Sequence, residues 1–89
     1  MTILASSNGE SLGIIRDDGV IVSMEGSILG AWTQEGIVDA TGGMLAEGKK
    51  KNEWDTEFFD KEGKNVGIFF SGIHKFLDKD FFKKLQTKN

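Results

Sequence analysis

Short runs of aliphatic, β-branched and aromatic residues alternate with turn residues along most of the chain. The pattern is clearest over residues 20–34, where two such runs flank Glu25-Gly26. β-Branched and aromatic residues favour strands, and a glycine in a short polar stretch favours a tight turn. This segment therefore predicts one β-hairpin that turns at Glu25-Gly26.

The hairpin pattern returns about four times along the sequence. Glycines at matching places are spaced 17, 17 and 20 residues apart, and they are Gly9, Gly26, Gly43 and Gly63. The repeating units cover roughly residues 2–17, 18–34, 35–53 and 54–72. Since units of this kind bury little surface alone, we expect them to gain a core by packing on their neighbours.

A further glycine marks the second strand of most units. Gly13, Gly30 and Gly67 follow the turn glycine by four residues, whereas Glu47 stands at this place in the third unit. A glycine within a strand indicates a bulge or a close approach of the backbone. Because this strand glycine recurs in three of the four units, it indicates hairpins that pack closely around a common axis. At the Glu-Gly turns, a three-residue loop with glycine in the left-handed conformation fits best.

The last part of the chain has a different pattern. Residues 73–77 can continue as a strand, and residues 78–86 predict a short helix with Asp78 or Asp80 as its N-cap. Three apolar residues share one face of this helix, namely Phe81, Phe82 and Leu85. A helix this short is marginal by itself. We therefore expect it to dock on the β part or on another chain.

The predicted fold is mainly β, with about four repeated β-hairpins in a pseudo-fourfold arrangement and a short C-terminal helix. The 89 residues predict a single domain, with hairpin repeats over residues 2–72 and a strand and helix tail over residues 73–89. In a closed repeat, we expect the first strand to meet the last copy, which removes an exposed sheet edge.

Composition adds a cellular context. The chain contains no cysteine, so it has neither a disulfide framework nor a thiolate site. Its first residues lack the basic start and the long apolar stretch of a signal peptide. No apolar run approaches the roughly 20 residues of a membrane span. We expect a cytoplasmic protein that does not bind a membrane.

The formal net charge of −3 is unevenly distributed. Residues 1–47 carry seven acidic side chains and one basic one, whereas residues 48–89 carry seven acidic side chains and ten lysines. The lysines lie among acidic neighbours, which predicts a solvated surface of mixed charge. Lys49–Lys51 beside Trp54 has the composition of a loop that stacks on single-stranded nucleic acid. Because Glu53, Asp55 and Glu57 follow at once, we do not expect nucleic-acid binding.

The sequence contains no catalytic or metal-binding motif above background. Asp17 and Asp18 precede a glycine and are expected to be turn residues. His74 is the only histidine, and Ser71 nearby does not complete a catalytic or metal-binding set. No Gly-X-Gly-X-X-Gly phosphate loop opens a helix. We expect no enzyme activity, no cofactor and no bound metal.

Two segments resemble the repeats of the bacterial 4-fold beta flower proteins. They are residues 37–43, Ile-Val-Asp-Ala-Thr-Gly-Gly, and residues 58–69, Phe-Phe-Asp-Lys-Glu-Gly-Lys-Asn-Val-Gly-Ile-Phe. The resemblance covers about residues 2–72 and implies four hairpins around a pseudo-fourfold axis. The third unit departs from it at Glu47. The family has no assigned biochemical function, so it supplies no functional residues.

Two functions fit these observations. The first is a non-enzymatic interaction or assembly module, whose partner is another protein or a second copy, with a dimer as the first expectation because twofold closure is commonest. The residues expected at that interface are Phe76, Phe81, Phe82 and Leu85. The alternative is a ligand- or glycan-binding domain that uses Trp32, Trp54 and nearby carboxylates. Exposed Trp side chains would favour it, and buried ones would remove its basis.

Overall fold

A computed structural model of the chain describes residues 2–70 and 74–87, with His74 described by its backbone alone. The prediction of a mainly β protein with a short C-terminal helix is confirmed. The described elements are β1 (Thr2–Ala5), β2 (Ser11–Ile15), β3 (Val20–Ser23), β4 (Ile28–Trp32), β5 (Gly36–Asp39), β6 (Met44–Lys50), β7 (Thr56–Asp60), β8 (Asn65–Phe70), β9 (His74–Leu77) and α1 (Lys79–Thr87).

The nine strands form a closed barrel in which neighbours in sequence are neighbours in space. Strands β1 to β8 form four antiparallel hairpins, and β9 lies between β8 and β1. β9 runs parallel to β1, with Ala5 opposite Phe76. The expectation that the first strand meets the last hairpin directly is therefore wrong. The tail supplies the closing strand, so residues 74–77 belong to the barrel and not to an appendage.

The four hairpin tips share one geometry. In each tip the glycine N–H donates to the carbonyl three residues earlier, at N···O distances of 2.9–3.0 Å. These glycines have φ between 83° and 93°, and they are Gly9, Gly26, Gly42 and Gly63. This is the three-residue loop with a left-handed glycine that the Glu-Gly turns predicted. A side-chain oxygen at the start of each tip accepts from the N–H four residues on, and its owners are Ser6, Ser23, Asp39 and Asp60.

The third unit is regular once its turn glycine is identified. Gly42, and not Gly43, has the positive φ of 90°. The strand position four residues later is therefore Ala46, which faces Ile37 as the strand glycines face their partners in the other hairpins. The expected break at Glu47 is wrong, because Glu47 belongs to the next position and is exposed. A small residue thus occupies the strand position in all four hairpins.

Inward-pointing side chains fill the barrel in layers with one contribution from each hairpin. The middle layer is fully buried and consists of Leu4, Ile21, Ile37 and Phe58. Three aromatic rings fill the core beside it, because the centroids of Trp32, Phe58 and Phe69 lie 4.9–5.2 Å apart. Gly48 leaves room for this cluster, since a Cβ there would lie 2.8 Å from the Phe58 ring.

The barrel has two different ends. The tip end carries the four hairpin tips at residues 7–9, 24–26, 40–42 and 61–63. The mouth end carries the connections at residues 17–19, 33–35 and 51–55. Helix α1 begins at the tip end, because the Asp78 N–H donates to the Val66 carbonyl at 2.7 Å. Asp78 is the N-cap, as one of the two predicted candidates, since its carboxylate accepts from the Phe81 N–H at 3.1 Å.

Helix α1 docks on the barrel of its own chain. Phe81, Phe82 and Leu85 are 6%, 3% and 0% exposed. The Phe82 ring lies against β2, since a Cβ at Gly13 would come within 3.4 Å of it. An ion pair between Lys79 and Glu10 at 3.0 Å joins the helix to the first hairpin tip. The helix therefore closes the tip end of the barrel.

Candidate functional site

An uncharged aliphatic patch covers one outer side of the barrel. Its first row runs across four adjacent strands, because Ile3 pairs with Ile14, Ile14 with Val22 and Val22 with Ile28. Ile3 and Ile28 at the ends of the row are 64% and 55% exposed. A second row follows from the pairs Val20–Ala31 and Ala31–Val38, and its members are Val20, Ala31 and Val38.

The local sequence explains why this side carries no charge. Strands β1 to β4 contain no Asp, Glu, Lys or Arg at all. One alternate set of their side chains fills the barrel, and the other set, which would ordinarily be polar, is also aliphatic apart from the exposed Ser11. Strands β6 and β7 differ, because their outer positions include Glu47, Lys49 and Glu57. The barrel therefore has one aliphatic side and one charged side.

The two Trp residues proposed as ligand contacts lie in opposite environments. Trp32 is 2% exposed and belongs to the aromatic cluster, because it points inward from β4. Trp54 is 69% exposed in the connection between β6 and β7. The Asn52 side chain holds that connection by accepting from the N–H groups of Trp54 and Asp55. The structure thus does not bring the two Trp side chains together, and burial removes Trp32 from an exposed binding surface.

The residues proposed for a partner interface are divided as well. Phe81, Phe82 and Leu85 pack inside the same chain, so the apolar face of α1 is already covered. Phe76 alternates with the buried Leu77 on β9 and faces outward, where it is partly buried. It lies opposite Ala5 of β1, next to the aliphatic patch. Of the four residues, only Phe76 borders an outer apolar surface.

A pocket of about 450 Å³ opens at the mouth end. Ile15, Trp32 and Phe69 line its apolar part. Lys75 reaches it from β9, and its Nζ lies 5.0 Å from the centroid of the Phe69 ring. Arg16 and Asp18 on the rim form an ion pair at 2.8 Å. We call this the mouth pocket.

A larger groove of about 780 Å³ lies between the third and fourth hairpins. Leu45 and Phe59 contribute apolar surface to it, and Lys49 Nζ lies 5.7 Å from the Phe59 ring centroid. The charged residues that line the groove have both signs, and they are Glu47, Lys49, Asp60 and Lys61. This alternation of charge selects no single class of ligand.

Among the described residues, no group of three or more His, Cys, Asp or Glu side chains is arranged to hold a metal ion. Asp18 has the predicted turn role, because its carboxylate accepts from the Val20 N–H at 3.1 Å. Ser71 and the side chain of His74 lie outside the described part of the chain. Within that part, no helix is long and apolar enough to cross a membrane.

Sequence reasoning missed the two features that the structure brings forward. The aliphatic patch depends on strand register, although the lack of charge in residues 20–23 and 28–32 was a visible signal. The inward direction of Lys75 follows from its pairing with the buried Phe69, which the sequence does not reveal.

Comparisons with known proteins identify no relative. A scan against family models, a search of curated proteins and a search of solved structures each found no match for this chain.

Proposed function

We propose that this protein is a non-enzymatic assembly module that pairs with a second copy of itself through the aliphatic patch. The observation that carries the proposal is the outward-facing row Ile3, Ile14, Val22 and Ile28 on strands without a charged residue. Its two ends are exposed and its two middle members are partly buried. Contiguous apolar surface of this kind marks sites of association in soluble proteins.

A second copy is the partner that this surface fits best. The patch offers no charged group that would select a partner of opposite charge. A twofold axis through the patch would place each row against its own copy, so that the interface is self-complementary. Phe76 at the border would extend the contact. Of the residues predicted for the interface, the proposal therefore retains only Phe76, because Phe81, Phe82 and Leu85 of α1 pack against the barrel of their own chain.

The size of the patch sets the expected strength. A standard interface buries about 800 Å² per partner, which is roughly 15% of the 5417 Å² surface of this chain. Five adjacent strands about 4.8 Å apart make a patch some 20–25 Å wide, and the patch is only two rows of side chains deep. The area that it can bury therefore lies at the low end of the range of protein–protein interfaces. We therefore expect a dimer that dissociates on dilution.

The test is the substitution Ile28→Lys, with Trp54→Lys as the matched control. Both side chains are large, apolar and more than half exposed, so neither change should unfold the monomer. Only Ile28 lies in the patch. We expect the wild type and Trp54→Lys to show mass that rises with concentration towards a dimer, whereas Ile28→Lys stays monomeric. Light scattering after size exclusion over a range of loading concentrations measures this.

Two results would contradict the proposal. One is a wild-type chain that remains monomeric at the highest soluble concentration. The other is a dimer that Ile28→Lys leaves intact, which would place the interface elsewhere. Membership of the 4-fold beta flower family and a cytoplasmic location stay predictions beside this proposal. Their support is the set of four hairpins with matching tips and the composition of the chain.

A further inference from the structure

We propose that Met44 is a modification site, at which oxidation of the thioether by a peroxide dissociates the dimer. The inference rests on the proposed pairing through the aliphatic patch and adds a means of control to it. Its basis is the position of the Met44 side chain, which lies at the border of the patch and is 42% exposed.

Strand pairing puts Met44 on the same outer face as the patch. Met44 lies directly opposite Val38 in the β5–β6 ladder. Val38 belongs to the second row of the patch, and directly opposite residues of an antiparallel pair project from the same face. Met44 therefore extends the patch from β5 to β6, ahead of the charged positions Glu47 and Lys49 on the same strand.

Gly36 determines where the thioether lies. A Cβ on Gly36 would come within 2.5 Å of the Met44 Sδ and 3.2 Å of its Cε. Because Gly36 and Val38 are two residues apart on one strand, they share the outer face of β5. The missing side chain of Gly36 thus leaves the space in which the Met44 side chain runs along β5. The sulfur is held against the patch and is not extended into solvent.

The Met44 sulfur is also open to a dissolved oxidant in the monomer. The chain has three Met and no Cys, so thioethers are its only sulfur groups. Met1 lies outside the described residues, and Met24 is 63% exposed in the second hairpin tip. Met24 belongs to no strand, whereas Met44 begins β6 and pairs with a patch residue. Met24 is therefore a control with the same chemistry and a different position.

The reaction is a transfer of one oxygen atom from hydrogen peroxide to sulfur. A lone pair of the Met44 sulfur attacks one peroxide oxygen, the S–O bond forms and the O–O bond breaks. The proton on the transferred oxygen goes to the departing hydroxide, which leaves as water. The thioether is oxidised by two electrons to a sulfoxide, and the peroxide is reduced by two. Methionine sulfoxide reductases reverse the change, so the modification can act as a switch.

The sulfoxide opposes pairing because its oxygen is a strong hydrogen-bond acceptor without a donor at the patch. Gly36 and Val38 beside it offer no side-chain donor, and the residue opposite Gly36 is Glu47, whose carboxylate is itself an acceptor. A polar group that is buried without a hydrogen bond disfavours association. In a twofold dimer both copies carry the change. We therefore expect oxidation to raise the dimer dissociation constant about ten- to hundredfold.

The experiment compares the full chain before and after treatment with hydrogen peroxide. The chains are the wild type, Met44→Leu and the matched control Met24→Leu, since leucine is apolar and has no sulfur. Light scattering after size exclusion measures the mass over a range of concentrations. We expect peroxide to dissociate the wild type and Met24→Leu and to leave Met44→Leu dimeric. Mass spectrometry of peptides verifies that each remaining methionine has gained one oxygen.

A second pair of variants imitates the polar side chain without any oxidant. Met44→Gln replaces the thioether with an amide of similar length and should weaken the dimer about tenfold or more. Met24→Gln makes the same change in the hairpin tip and should leave the dimer intact. Circular dichroism verifies that both variants keep the β fold. This comparison does not depend on whether the fold withstands peroxide.

Failure of this inference differs from failure of the assembly proposal. An untreated wild type that never dimerises contradicts the assembly proposal and this inference with it. An untreated dimer that persists when Met44 is fully oxidised overturns this inference alone. The same holds if peroxide dissociates Met44→Leu as it does the wild type, or if a folded Met44→Gln dimerises with wild-type affinity.

Discussion

The Asp39 carboxylate organises the third hairpin tip at the scale of single residues. Its Oδ1 accepts from the N–H groups of Thr41 and Gly43, both at 2.9 Å. The backbone then turns at Gly42 with φ of 90°. A side chain with Cβ is strained in that conformation, whereas glycine is not. The carboxylate and Gly42 together fix the register of the hairpin that follows.

This arrangement predicts that Gly42→Ala costs more stability than Gly43→Ala. The first change forces Ala into the left-handed region, at a cost of about 1–2 kcal/mol. The second meets only the Asp39 carboxylate, whose Oδ2 would lie 3.1 Å from the added Cβ and would have to shift by a few tenths of an ångström. Urea unfolding of both variants measures the difference. Equal losses of stability, or a larger loss for Gly43→Ala, would contradict this assignment and would favour Gly43 as the turn glycine, as the sequence spacing indicates.

The sequence could not decide between these two glycines by spacing alone. Gly43 lies 17 residues after Gly26, which matches the first interval, and Gly42 lies 16 after it. The deciding signal was the acceptor three residues before the turn glycine. Asp39 matches Asp60 in this role, whereas Ala40 has no acceptor in its side chain. Turn chemistry was therefore more informative than the interval.

Helix α1 is the element with the clearest structural role. It adds the buried rings of Phe81 and Phe82 to the aromatic residues of the hairpins, and it covers the tip end. Without it, the inner residues of that end would face water. The helix is thus part of the core of a small domain, which has little apolar surface to spare.

We expect Phe82→Ala to destabilise the fold by about 3–5 kcal/mol, the range for truncation of a buried phenylalanine. That is a large part of the roughly 5–15 kcal/mol that stabilises a typical domain. Lys83→Ala, at the neighbouring exposed position of the same helix, is the matched control and should change little. Thermal unfolding followed by circular dichroism compares the two. A Phe82→Ala variant as stable as Lys83→Ala would show that the helix does not seal the barrel.

Elements were easier to predict than their arrangement. The hairpins and the helix follow from periodicity and turn residues, and the helix was placed within a residue at each end. The position of β9 between β8 and β1 was not predicted, because a strand of four residues carries no mark of its partner. Closure of the barrel is a tertiary effect, in which the need to pair two sheet edges decides the outcome.

At the scale of the molecule, the barrel is asymmetric in two directions. One end is sealed by α1, and the other opens into the mouth pocket. One side is aliphatic on β1 to β5, and the other carries charges on β6 and β7. The pseudo-fourfold repeat alone would make the sides equal. Sequence differences between the repeats therefore create the aliphatic side on which the assembly proposal rests.

The sequence revealed the uneven charge but not the site that results from it. Six of the seven acidic residues of the first half lie in or beside the tips and connections, and the seventh, Glu47, lies on β6. Strands β1 to β4 have none. Whether Ile3, Ile14, Val22 and Ile28 point inward or outward depends on register, since a shift of one residue exchanges the two faces. Only the pairing of the strands shows that they form one row.

The most direct test of the assembly proposal is a nuclear Overhauser measurement between two copies of the chain. One copy carries ¹³C-labelled isoleucine methyl groups, and the other is unlabelled. We predict intermolecular signals from Ile3, Ile14 and Ile28, and none from Ile21 and Ile37, which are fully buried and serve as internal controls. A dimer without intermolecular signals from the patch, or a chain that shows no intermolecular signal at its highest soluble concentration, would contradict the account.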